Sequence, residues 1–288
     1  MGADRSGTSL AVNLLSDMGF YVRSDHRPPN SFNVQGYGET RKLAEINRRI
    51  VSIFGGSTLL PNRMPEAWED DDRLASLHEM AANLVSDMDK HGSWALKNDP
   101  VTLPFWKRFL PSGHSYVICI RNPLASVQSQ VSALGATERG AALVWFHRNL
   151  AAIRNTQGAR RVFLFYEDYF DRDSDQVGKL AAFVGKDTAG TLRVSPDLRH
   201  YGFSLEDCLC SEKLPIETKL LYLSVLRIKD DDGFADTFSR ISDAGTVSND
   251  PIGRLELESK IEYYEKTVSH PYVRLGLSMR GALRRLGV

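Results

Sequence analysis

The feature that most constrains the fold is an apolar run at 115–120, SYVICI, cut off by RNP and followed at once by LASVQSQVSAL. A run this short suits a buried strand and is too short for a helix. Asn122 then stands as an N-cap, Pro123 as the first helical residue and Gly135 as the stop, so the next segment is expected to be a helix. The order recurs: VFLFY at 162–166 reads as a strand, with SDQVGKLAAFVG as the helix behind it. Before them, EDDDRLASLHEMAANLVSDMDKHG reads as a helix whose acidic head suits its positive end, and SWALK at 93–97 as a short strand ending at Lys97. Strands that alternate with helices pair in parallel and are covered by helices on both faces. An α/β fold over residues 1–197 is therefore expected, with a helical C-terminal part over 198–288 and no further strand.

Composition removes some functions and names none. The chain has 288 residues, 42% of them hydrophobic and 25% charged, enough to bury a full core. Thirty-six basic residues balance thirty-six acidic ones, so the net field gives no reason to expect nucleic acid and an anion site has to be a local arrangement. Of the three cysteines, Cys119 lies in an apolar run and Cys208 and Cys210 form a C-x-C without the partner pair of a structural zinc site; all three are expected as reduced thiols. Neither a long apolar span nor a signal peptide is evident, and a cytoplasmic location is expected. Met1 stands where the strand that normally precedes a phosphate loop should end, which points to a truncated N-terminus.

The chain opens on MGADRSGTSL. Gly2 and Gly7 allow tight turns, and the N–H groups of Ser6, Gly7, Thr8 and Ser9 fall at the start of a helix in which Leu10, Leu14 and Met18 repeat and Gly19 supplies the stop. A Walker A loop carries a lysine directly after its second glycine, where this chain has Thr8; the cation here is Arg5. The loop is thus built for an anion but not equipped for triphosphate chemistry. A capped glycine turn is its ordinary structural alternative. Residues 24–38, SDHRPPNSFNVQGYG, form a long loop, and Glu39 sits where it meets the helical spacing of ETRKLAEINRRIVSIF.

A second constellation is RNPLASVQS, where Arg121 leaves the strand and Ser129 follows about two helical turns later. With the loop, it resembles the PAPS-dependent sulfotransferases, which move a sulfuryl group from 3'-phosphoadenosine 5'-phosphosulfate (PAPS) to an acceptor. RSGTSL is similar to their 5'-phosphosulfate loop, RNPLASVQS to their 3'-phosphate motif, WALKNDPVTLPFW to their lysine-bearing strand, and VFLFYEDYF to a later strand ending in Tyr-Glu-Asp. The likeness runs in the family's order from Arg5 to about Gly185 and is greatest to bacterial members that modify glycans, lipopolysaccharides or secondary products.

The resemblance implies a P-loop-like three-layer fold, a central parallel sheet flanked by helices. It implies Arg5, Ser6, Gly7, Thr8 and Ser9 around the 5'-phosphosulfate, Arg121 and Ser129 around the 3'-phosphate, and Tyr166 by the adenine. Sulfuryl transfer also needs a base and cations to offset developing charge. Arg5 and Lys97 are the cations. For the base, Glu39 is similar to the glutamate of carbohydrate and tyrosylprotein sulfotransferases, and Asp99 in KNDP stands where the phenol and steroid enzymes carry their Lys-x-His base; Glu39 is preferred. Glu167 and Asp168 read as structural partners of nearby donors. The implied acceptor is a hydroxyl or amine of a glycan, glycolipid or secondary metabolite, and the scheme requires no metal.

Two other functions share these features: a P-loop kinase-like phosphotransferase, which lacks its lysine here, and a non-catalytic nucleotide- or glycan-binding protein. His26, His78, His91, His114, His147, His200 and His270 show no pairing as metal ligands. ALVWFHRNLAAI reads as a helical apolar face in the core. Arg274, Arg280, Arg284 and Arg285 give the C-terminus a basic stretch suited to a solvated face, an anionic acceptor or a membrane surface.

Overall fold

The computed structural model describes residues 1–23, 25, 38–57, 64–171, 173–187, 194–198 and 201–230. The opening loop leads into α1 (Thr8–Asp17), and α2 (Arg41–Ile53) follows. Two 3-10 turns, Trp68–Asp70 and Asp72–Leu74, introduce α3 (Ala75–Asp89). A third turn, Pro100–Thr102, and the short α4 (Leu103–Trp106) precede β1 (Tyr116–Ile120). Helices α5 (Pro123–Leu134) and α6 (Glu138–Asn155) connect it to β2 (Arg161–Phe165), and α7 (Gln176–Phe183), α8 (Leu205–Cys210) and α9 (Ile216–Asp230) come after.

The architecture is mixed α/β, with a two-stranded parallel sheet among the described residues in which Tyr116 lies opposite Arg161 and Ile120 opposite Phe165. On the other edge of β1, the Cys119 amide donates to the Met1 carbonyl at 2.8 Å, the Met1 amine donates to the Val117 carbonyl at 2.7 Å, and Gly2 bridges Cys119 in parallel. The loop therefore starts from the sheet itself.

Alternation along the strands sorts the core. Ile118, Ile120, Phe163 and Phe165 pack with α5, α6 and α9 through Val127, Trp145 and Val225. Cys119, Val162 and Leu164 face the opposite way and pack with α1 and α7 through Leu10, Leu14 and Leu180. Both faces are buried, as the near-continuous apolar runs require. A third cluster joins α2, α3 and α4 through Ile46, Leu84 and Trp106. The described C-terminal helices thus share a core with the sheet, while 231–288, with the basic arginines at 274, 280, 284 and 285, lies outside the described residues. Asn122 caps α5 by accepting from the Ala125 amide at 3.1 Å, Pro123 begins the helix, and Gly135 closes it at φ 66°.

Two expectations need correction. Of the run 93–97 only Trp94 makes a ladder pairing, a single parallel bridge to Tyr21, because one residue of the preceding chain runs beside it; beyond it Asn98 and Asp99 are fixed by side chains instead. The acidic stretch before α3 forms 3-10 turns, with Asp71 capping the second by accepting from the Arg73 amide, and the α-helix begins only at Ala75. Among the described residues no helix is long and apolar enough to cross a membrane.

Gly7 and Gly19 are both left-handed, at φ 84° and φ 89°, but a Cβ on Gly7 would lie 2.5 Å from Cδ2 of Tyr166 whereas one on Gly19 meets nothing within 4 Å. Gly19→Ala should cost about 1–2 kcal/mol for its backbone alone, and Gly7→Ala about 1–3 kcal/mol more for the clash. Urea unfolding of the two variants measures this difference; equal losses would show that the ring does not constrain the loop.

Candidate functional site

The opening loop is shaped by its neighbours. A Cβ on Gly2 would lie 2.3 Å from the Cys119 carbonyl oxygen, so the chain passes β1 at a distance only glycine permits. Arg5 takes a left-handed φ of 63°, a conformation that costs a non-glycine residue about 1–2 kcal/mol and recurs at functional sites. The Ser6 amide donates to the Ala3 carbonyl at 3.3 Å, which tightens the turn, and α1 begins with Gly7 as an N-cap that makes no side-chain capping bond. The Ser6 hydroxyl is buried, 1% exposed, and has no hydrogen-bond partner among the described residues. A buried hydroxyl in this state costs stability unless a ligand completes it.

The end of β1 delivers Arg121 to the same place. Its Nη1 donates to the Arg5 carbonyl at 2.9 Å, and Arg5 Nε donates to the Ser129 hydroxyl at 3.0 Å, so loop, strand end and α5 meet. Arg121 is 3% exposed, and burial pushes its pKa down, a cost that a bound anion would relieve. Its guanidinium carbon lies 4.3 Å from the centre of the Tyr166 ring, and the same ring limits Gly7. The Tyr166 hydroxyl donates to the Leu198 carbonyl rather than to solvent, and burial raises its pKa. Beside this ring opens a cavity of about 290 Å³ with Phe170, Tyr201 and Phe203 as aromatic walls and Glu167 and Ser204 as polar ones.

A second group forms at Ser9, where the loop enters α1. Lys97 Nζ lies 2.8 Å from Oε1 of Glu39 and donates to the Ser9 hydroxyl at 3.2 Å. Glu39 precedes α2, whose N-cap is Thr40, so it is not a first-turn residue of that helix, and its carboxylate pairs with Lys97. Thr8, at the first position of α1, is 8% exposed.

The segment carrying Lys97 is fixed from two sides by residues that motif reading passed over. The side-chain Oδ1 of Asn98 accepts from Asn47 Nδ2 at 2.9 Å and from the Asp99 amide at 2.8 Å, tying the segment to α2. Asp99 caps the turn at Pro100–Thr102 through the Val101 amide at 2.9 Å, and its other oxygen accepts from Arg148 Nε at 3.0 Å. Arg148, on α6, also donates to Asp4. Burial opposes its charge, but Asp4 and Asp99 outweigh burial and hold the guanidinium more firmly protonated than usual. Asp99 is therefore engaged as a cap and ion-pair partner. The only signals for these roles were an arginine inside the apolar stretch VWFHRNL and the asparagine interrupting KNDP.

Glu167 accepts from the Asn122 amide at 3.0 Å and Asp168 pairs with Lys229 at 2.8 Å, structural partnerships of the kind expected for both; burial raises the Glu167 pKa. Cys119 and Cys208 are buried, Cys210 is exposed, and all three are free thiols. Among the described residues no cluster of three or more His, Cys, Asp or Glu side chains is arranged for a metal ion. His26 and most of the 24–38 loop lie outside the described residues. Comparison of the chain with protein-family models, with curated proteins and with solved structures finds no match.

The two candidate bases differ in what holds them, and their stabilities should differ accordingly. Asp99→Asn removes half of the charge around buried Arg148 and should cost about 2–4 kcal/mol, whereas Glu39→Gln breaks a partly exposed pair and should cost under about 1 kcal/mol. Denaturant midpoints of the two variants check this, and a larger loss for Glu39→Gln would reverse the assignment of structural weight.

Proposed function

We propose that the chain is a PAPS-dependent sulfotransferase whose core is a P-loop-like three-layer fold, working in the cytoplasm on a hydroxyl or amine of a glycan, glycolipid or secondary metabolite. The observation that carries the reading is the convergence of Arg5, Arg121 and Ser129, from a glycine loop and a strand–helix turn far apart in sequence, beside Tyr166 and an aromatic-walled cavity. The Arg121 guanidinium with the Ser129 hydroxyl suits a terminal phosphate monoester, Arg5 beside them suits the neighbouring phosphosulfate, and flat aromatic walls suit a base. The residues also fit the sulfated end of the donor. The partnerless Ser6 hydroxyl and the uncapped start of α1 offer hydrogen bonds to an anion there, with Ser9 and Lys97 at its edge.

In the reaction, Glu39 takes the acceptor's O–H or N–H proton as the acceptor attacks sulfur. The bond between sulfur and the 5'-phosphate oxygen breaks, its electron pair leaves on adenosine 3',5'-bisphosphate, and Arg5 and Lys97 offset the charge that develops. Glu39 is preferred to Asp99 because it faces Lys97 next to the loop, while Asp99 is occupied by Val101 and Arg148.

Adenosine 3',5'-bisphosphate should bind calorimetrically without added metal, and adenosine 5'-phosphate much more weakly. Charge-assisted bonds contribute about 1.5–3 kcal/mol each, so Arg121→Ala should weaken the first ligand by roughly tenfold or more and the second little. Equal losses for both, or stabilisation by ATP with magnesium in place of the bisphosphate, would refute the donor assignment and favour a phosphotransferase. Transfer of labelled sulfuryl groups to a panel of acceptors separates an enzyme from a binding protein.

Glu39→Gln keeps size and polarity while removing basicity. It should leave bisphosphate affinity near that of the parent and lower turnover about 10²- to 10⁴-fold, the usual cost of losing a general base. A fall of that size in Asp99→Asn with near-normal turnover in Glu39→Gln would move the role to Asp99.

A further inference from the structure

Arg148 belongs to neither group of site residues, yet it touches the chain segments that carry both. Its Nη1 donates to Asp4, the residue before Arg5, while Nε at 3.0 Å and Nη2 at 2.8 Å hold Oδ2 of Asp99, two residues after Lys97. The side chain is 11% exposed, so these bonds act largely away from water. The helix behind it is firmly seated. Trp145, fully buried on α6, donates through Nε1 to the Arg121 carbonyl at 3.0 Å, and Asn155 near the end of α6 donates to the Pro100 carbonyl at 2.9 Å. One rigid helix therefore bears on the strand end at Arg121, on the loop through Asp4 and on the Lys97 segment through Asp99.

We propose that Arg148 is a positioning residue: by clamping Asp4 and Asp99 on one planar guanidinium it sets the spacing between the opening loop and the Lys97 segment, which keeps Lys97 Nζ between the Ser9 hydroxyl and the Glu39 carboxylate. The chemical meaning of this spacing rests on the sulfotransferase reading, since Lys97 and Glu39 are its cation and base. A fork of donors in fixed geometry can serve two carboxylates at once and set their spacing, whereas an ammonium on a flexible stem imposes no such fixed geometry. Breaking the clamp displaces Lys97 from the loop, while Arg5 keeps its own contact to Ser129 on α5.

Two variants test the clamp apart from simple destabilisation. Arg148→Lys keeps the charge and loses the fork. Arg148→Met combined with Asp4→Asn and Asp99→Asn removes the clamp and leaves no uncompensated carboxylate. In each, thermal melting, bisphosphate affinity and kcat are measured, and Glu39→Gln is then added. The expected result is a cooperative melt, affinity near that of the parent, and kcat about 10²-fold lower, the usual consequence of misplacing a reacting group by about 1 Å. Added Glu39→Gln should then cost far less than in the parent, because residues acting as a unit are not additive.

Unchanged kcat in both variants, or a Glu39→Gln loss as large in the variants as in the parent, overturns the proposal. Should the triple variant not fold, Arg148→Lys decides by the same readings. A parent that transfers no sulfuryl group refutes the sulfotransferase reading alone; the positioning is then decided by a crystal structure of whichever variant folds. Lys97 displaced from Ser9 upholds it, and a retained 3.2 Å contact overturns it.

Discussion

Everything at the site depends on two strands running in the same direction. Because β1 and β2 are parallel and in register from Tyr116 opposite Arg161 to Ile120 opposite Phe165, their ends deliver Arg121 and Tyr166 side by side. Met1 and Gly2 run along the opposite edge of β1, so the glycine loop emerges at that same end. A guanidinium over an aromatic ring, and that ring against a glycine too crowded to carry a Cβ, then fix loop and strand ends to one another. Such contacts are individually modest, of order 0.5–2 kcal/mol for a cation over a ring, but they hold groups whose polarity would otherwise drive them into water.

Among the described residues, three cations around that framework have partners that offset their burial. Arg148 has two carboxylates, Lys97 has Glu39 and the Ser9 hydroxyl, and Arg121 has the face of Tyr166 and the Arg5 carbonyl. Burial lowers the pKa of Arg121, a cost that a bound phosphate would offset. The carboxylate partner of Lys97 is the group proposed to take a proton, so cation and base are held at 2.8 Å before any acceptor arrives.

Local chemistry made part of this legible in the sequence. The cap, proline and glycine around α5 act within a few residues of one another, and the structure has each in its expected place. The apolar runs at β1 and β2 likewise carry their own evidence of burial on both faces. The run at 93–97 misled because strand formation depends on a neighbour, and among the described residues only Tyr21 bridges to it. Arg148 was hidden for a related reason. An arginine in an apolar helical stretch has no local partner, and its carboxylates, Asp4 and Asp99, are brought to it only by the tertiary fold. Asn98, an irregularity in KNDP, becomes intelligible once Asn47 of α2 is seen to hold it.

The central claim is that Arg5, Arg121, Ser129 and the start of α1 form one site for a nucleotide carrying phosphates at both ends of its ribose. A crystal structure of the chain with adenosine 3',5'-bisphosphate tests it most directly. The account predicts the 3'-phosphate on Arg121 and Ser129, the 5'-phosphate against the amides of residues 6–9, and the base in the cavity beside Tyr166. A nucleotide bound elsewhere, or bound with its two phosphates exchanged between these positions, would contradict it.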